Sequence, residues 1–121
     1  MGSGTVEYID FAALRRHVAN YDALYHKLLE LFLEQAPLWI EEINEAFAGH
    51  DPVLLRQVCH KIKGGAGTLQ AQSIIEAAAD LNRYAVAGDL TDAEPSRSRL
   101  VSAIGGTIDF VRASGQIEPP C

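Results

Sequence analysis

Apolar residues recur every three or four positions along almost the whole chain. No stretch shows the apolar–polar alternation of a half-buried strand. That periodicity restricts the chain to helix packed on helix. Asp10 stands where it can cap a short first helix over Phe11 to Val18. Asn20 or Asp22 starts a longer helix, with Leu24, Leu28, Leu31 and Phe32 as its core-facing stripe. Pro37 lacks an N–H and clashes with the preceding turn, so it is expected to break or kink that helix. Ile40, Ile43 and Phe47 continue a stripe beyond it, and Gly49 supplies a C-terminal stop.

Asp51 followed by Pro52 sets an N-cap before a proline in the first turn, and the helix it opens runs to about Leu69. Ser73 and Glu76 fit a capping box for another helix, ending near Gly88. Thr91 and Glu94 fit a second box, with Pro95 tolerated in the first turn and Leu100, Ile104, Ile108 and Val111 as the stripe. Gly105 and Gly106 each cost about 1 kcal/mol in a helix interior. They predict a weak point or a close packing contact. Five or six helices with short connections imply antiparallel neighbours. The expected fold is all-α, an up-and-down four-helix bundle with a short accessory N-terminal helix. The bundle is expected over residues 8–114. Residues 1–7 read as a flexible leader or expression scar, because Met1 to Gly4 lacks the basic and apolar regions of a signal peptide. Gly115 to Cys121, with Pro119-Pro120, reads as a loose tail.

Composition narrows the partners. Sixteen acids against ten bases give a net charge of −6, which argues against nucleic acid, whose phosphates need a basic field. The longest apolar region, Leu24 to Ile40, is interrupted by His26, Lys27, Glu30, Glu34, Gln35 and Pro37, so no membrane span is expected. Cys59 and Cys121 make no disulfide framework, and a reducing cytoplasmic setting follows as the expectation. The default oligomeric state is a monomer, since such helices can bury their own stripes.

The chemistry concentrates between Gln57 and Leu69. Projected at about 100° per residue, Leu55, Val58, Ile62, Ala66 and Leu69 fall within roughly 80° of one another and face the core. His60 lies about 160° from Ile62 on the same wheel and faces solvent. Arg56, Gln57, Lys63, Gly64 and Gly67 fall within about 60° of His60. Lys61 projects sideways, and Gly65 turns toward the buried side as a close-packing position. The outer face therefore carries one imidazole, flanked by bases and shaved flat by glycines. Gly64, one turn on, removes a side chain that would block the ring. Lys63, at i+3, can neutralise an anion attached to it. A neutral imidazole, with an ordinary pKa of about 6.5, is a nucleophile suited to phosphoryl groups.

His60-Lys61-Ile62-Lys63-Gly64-Gly65-Ala66-Gly67 resembles the signature of histidine-containing phosphotransfer (HPt) domains of bacterial phosphorelays: His, any residue, a hydrophobic, Lys, Gly, then small residues. The helix order is similar too, with the histidine in the second bundle helix. The resemblance implies that His60 accepts a phosphoryl group, through the outward Nε2, from the phosphoaspartate of a receiver domain and passes it to another receiver. It implies that Lys63 assists the phosphate charge and that Gly64 opens space for the receiver. Gln57, Lys61, Gly67 and Arg56 would border the docking face, with apolar residues of a neighbouring helix at its edge. The domain would be a carrier and not an enzyme, with no cofactor and no metal of its own. Mg²⁺ would belong to the receiver, and a hybrid sensor histidine kinase is a further partner. Gln70 stands where family members often carry a glycine, leaving open whether the helix ends there or continues a turn. A polar residue of the following helix often approaches the acceptor, and Asn82 and Arg83 are both candidates.

Other readings of these residues are weaker. The glycines lack the order of a phosphate-binding P-loop. His50, Cys59 and His60 are misplaced for metal ligands on one helix face. His17 and His26 lack telling partners, Glu41-Glu42 reads as a solvent-facing pair, and Trp39 as core or boundary packing. Two alternatives for function stand beside the relay: an acceptor domain charged directly by the ATP-binding domain of a chemotaxis-type kinase, and a helical adaptor that is never phosphorylated.

Overall fold

The computed structural model describes residues 8–116; the leader over residues 1–7 and residues 117–121 of the tail, Cys121 included, lie outside the described residues. Among the described residues there are five helices and no strand: α1 (Phe11–His17), α2 (Asp22–Ala48), α3 (Pro52–Thr68), α4 (Gln72–Ala87) and α5 (Glu94–Ala113). Helices α2 to α5 each pack on their neighbours in the ring, and α1 lies against α2. Glu42 pairs with Lys61, Asp80 with Arg99, and Arg97 sits over Phe47. With Trp39 against Gly65 and Tyr25 bonded to Gln116 just past α5, the contacts run α2 antiparallel to both α3 and α5.

The ends of α1 and α3 follow local chemistry. Asp10 accepts a hydrogen bond from the Ala13 N–H at 3.0 Å, and Asp51 accepts one from the Leu54 N–H at 3.0 Å. Each satisfies an N–H that has no partner inside its helix. Gly88 closes α4 in the left-handed conformation (φ 75°) that lacks a Cβ penalty.

Other ends differ from expectation. Ala71 and Ala93 precede α4 and α5, neither with a side-chain cap. Ser73 lies inside α4. Thr91 instead closes a turn on Asp89, donating both its N–H and its hydroxyl to that carboxylate, which holds Asp89 below the usual carboxylate range. Gly49 follows α2, yet the left-handed residue of that turn is His50 (φ 48°).

The larger correction concerns α2. It is one continuous helix of 27 residues through Pro37, which sits on the exposed side. Its core row is Tyr25, Leu29, Phe32, Ala36, Trp39, Ile43 and Ala46. Leu24 and Leu31 are exposed and Leu28 is half-buried. Phe32 is buried as expected, but Tyr25 and Leu29 take the places expected of Leu24 and Leu28, because hydropathy ranks a leucine above a tyrosine and cannot separate two adjacent leucines. The tyrosine buries its ring and satisfies its hydroxyl by donating to Gln116 Oε1 at 2.6 Å.

In α5, Leu100, Ile104, Ile108 and Val111 are buried as expected. Gly106 is a close-packing site: a Cβ there would meet the Tyr8 ring at 2.5 Å. Gly105 faces open space.

Candidate phosphotransfer site

Helix α3 presents two unlike faces. Leu55, Val58, Cys59, Ile62 and Ala66 are buried against α2 and α4. His60 projects from the opposite side and is exposed. It lines a shallow depression of about 490 Å³ between α3 and α4 together with Val53, Arg56, Gln57, Lys63, Asn82 and Val86.

Each neighbour has a distinct place. Lys63 is half-buried one turn after His60, and Arg56 and Gln57 are exposed one turn before it. Their three side chains share the depression with the imidazole. Gly64 is exposed, and a Cβ on either Gly64 or Gly67 would meet nothing within 4 Å. Lys61 turns away from the depression and donates to Glu42 Oε2 on α2 at 2.8 Å. That pairing also revises Glu42, which is half-buried, whereas Glu41 faces solvent. Of the two candidates on α4, Asn82 reaches the depression, and its buried Oδ1 has no hydrogen-bond partner among the described residues. Arg83 instead donates to Asp80 Oδ1 at 2.9 Å.

Two residues were missed by sequence reasoning. Val53 and Val86, 67% and 61% exposed, form an apolar rim. Val53 was findable, because seven residues are two helical turns and put it on the His60 face. Val86 needed the packing of α4.

Behind the face, Cys59 is buried and its thiol is pushed up to about 11 by burial, with the Lys63 charge opposing. Among the described residues no three His, Cys, Asp or Glu side chains gather to hold a metal ion. None of the described helices is long and apolar enough to cross a membrane.

The site comprises an exposed imidazole midway along α3, cations one turn either side, and two glycines beside which a Cβ would meet nothing. It has the parts to receive a charged group from another protein. The sequence matches the family described as Hpt domain over residues 27–112. The chain belongs to the Hpt domain family. It is a phosphotransfer module, an intermediate carrier of phosphorelays.

Two solved structures share the fold of this Hpt domain. Histidine-containing phosphotransfer protein B (HptB) from Pseudomonas aeruginosa PAO1 superposes with a TM-score of 0.81 at 18% identity, covering 91% of this chain and 96% of that one. The HPT domain of a sensor hybrid histidine kinase from Shewanella superposes with a TM-score of 0.79 at 15% identity, covering 88% and 92%. A comparison with curated proteins gave no match. The Hpt domain carries Gln70 where the family often has glycine. Its α3 ends there, with Gln70 in the left-handed conformation (φ 61°).

Proposed function

We propose that His60 is the phosphoacceptor of this module. A receiver domain docks over α3 and brings its phosphoaspartate to the imidazole. The Nε2 lone pair attacks phosphorus. The P–O bond to the aspartate breaks, and the carboxylate leaves with the electron pair. The phosphoryl group then sits on Nε2, with a proton retained on Nδ1. In the second transfer a carboxylate oxygen of another receiver attacks phosphorus, the P–N bond breaks, and neutral imidazole leaves.

Lys63 lowers the cost of the added negative charge through a charge-assisted contact worth about 1.5–3 kcal/mol. Gly64 keeps the approach open. Arg56 and Gln57 border the docking face, Gly67 keeps its far end flat, and Lys61 contributes at its side. Asn82 supplies the polar contact from α4. The module, residues 8–114, is a monomeric carrier without catalysis of its own, and Mg²⁺ belongs to the receiver. It works in the cytoplasm with receiver domains and with a hybrid sensor kinase.

The observation that carries this reading is the exposed imidazole sharing one depression with Lys63, beside a Gly64 whose added Cβ would meet nothing. The test is phosphotransfer from a panel of phosphorylated receivers to the wild type and to His60→Gln. Acid-labile, alkali-stable label on the wild type alone is the expected result. Absence of label from every receiver and every histidine kinase tried would overturn the reading.

A further inference from the structure

Helix α3 carries three bases, Arg56, Lys61 and Lys63, and no acid, although the whole chain has a net charge of −6. Lys61, next to His60 in the chain, is held by Glu42 of α2. Arg83, next to Asn82, is held by Asp80, which also takes Arg99 from α5. Among the described residues, Arg56 and Lys63 pair with no carboxylate. They are also the two cations that line the His60 depression, and no carboxylate borders it. The packing ties up the bases at the margin and leaves two unpaired beside the imidazole.

The two are not placed alike. Side chains on a helix lean toward its N-terminus, over the preceding turn. By that rule the His60 ring leans over Arg56 and Gln57 and away from Gly64. The depression agrees with this lean. Val53, Arg56 and Gln57 form its α3 wall before His60, Lys63 alone borders it from beyond, and neither Gly64 nor Gly67 takes part. A group carried on the outward ring nitrogen sits toward Arg56, and Lys63 leans back toward it from one turn on. A phosphoryl group, with up to about two negative charges near neutral pH, then lies between two cations.

We propose that Arg56 is a second phosphoryl-binding cation of this module, stabilising phosphorylated His60 jointly with Lys63 and shifting the transfer equilibrium toward the module. The proposal deepens the reading of His60 as the acceptor and rests on it. A guanidinium stays charged at every working pH, and Arg56 has no carboxylate to leave before it meets the phosphoryl oxygens. Arg56 is exposed, so water weakens the contact. Its effect is a bias in where the phosphoryl group resides, set apart from any part it has in docking.

The test separates the two roles by thermodynamics. The receiver that labels the wild type fastest is mixed with the module at low concentration, and label is counted on both proteins at a plateau approached from either direction. That ratio depends on the stability of the free phosphorylated proteins and not on how well they dock. In Arg56→Ala, with melting checked first, the ratio of labelled module to labelled receiver is expected to fall by about threefold or more. Arg56→Lys, which keeps the charge, is expected to restore most of it. If Arg56→Ala does not fold, Arg56→Gln is read in the same way. An unchanged ratio overturns the proposal, even where the rate of transfer falls, since Arg56 would then act in docking alone. If neither a receiver nor phosphoramidate labels wild-type His60, the acceptor reading itself has failed and the proposal falls with it.

Discussion

The indole of Trp39 occupies the space a side chain at residue 65 would need: a Cβ on Gly65 would meet Trp39 Cζ2 at 2.8 Å and Cη2 at 3.0 Å. Trp39 is 3% exposed and packs edge-on against Phe32, with ring centroids 5.8 Å apart, so it has little room to yield. Gly65→Ala would gain about 1 kcal/mol of helix propensity. Overpacking costs about 1–3 kcal/mol and outweighs it. A lowered urea midpoint is the expected outcome. A raised midpoint would show that α2 and α3 can separate without penalty.

Gly64 is the contrasting case one residue away. An added Cβ meets nothing, so Gly64→Ala should stabilise the fold by about 0.5–1 kcal/mol. The methyl group would stand on the docking face one turn after His60. Stability is therefore expected to rise while the rate of transfer from a receiver falls. An undiminished rate would mean that receivers do not approach over this face. Equilibrium unfolding and a transfer time course on one preparation measure both.

Gln70 holds a left-handed backbone at φ 61° where α3 ends. Its Nε2 donates to the Gly67 carbonyl at 3.3 Å, a local bond that offsets part of the strain. The conformation costs a non-glycine residue about 1–2 kcal/mol. Gln70→Gly removes that cost but increases the freedom of the unfolded chain. A net gain of up to about 1 kcal/mol is expected, seen as a melting temperature a few degrees higher. Loss of stability would show that the Gln70 side-chain bond outweighs the backbone strain.

Cys59 gives a pH dependence whose sign is set by burial. Its thiol ionises at about 11 when folded, against 9.0 for an unperturbed group. The folded state therefore keeps a proton that the unfolded state has lost. Stability is complete below about pH 9 and falls as the pH rises toward 11, by at most about 2–3 kcal/mol over the window. In Cys59→Ala the part of the alkaline slope due to this thiol should vanish, although its stability at pH 7 is lower because a cavity replaces the sulfur. A slope equal to that of the wild type would contradict the assignment. Unfolding free energies at pH 7, 9 and 10.5 decide it.

Much of the fold was readable because its signals are local. Asp10, Asp51 and Gly88 act within one turn of themselves. The two faces of α3 follow from a single period carried through a glycine-rich segment, so His60 could be placed outward from the sequence. The capping boxes at Ser73 and Thr91 misled because that pattern also occurs without a cap. Whether a serine caps depends on how the chain enters the helix, and Ala71 and Ala93 occupy those entry positions. Leu24, Leu28 and Leu31 misled because hydropathy ranks a leucine level with or above the tyrosine, leucine and phenylalanine that directly follow them.

The sequence by itself determined that the chain is helical, where α1 and α3 begin, where α4 stops, and that His60, Lys63 and Gly64 share one outward face. Each depends on residues within about two turns along one backbone. Only the tertiary structure decided which row of α2 is buried, that Lys61 pairs with Glu42, and that Asn82 rather than Arg83 joins His60. Those outcomes depend on the rotation and register of helices far apart in sequence. That rotation is set by the fit of large groups to small ones across the interface, such as Trp39 against Gly65, a relation that no period along one helix encodes.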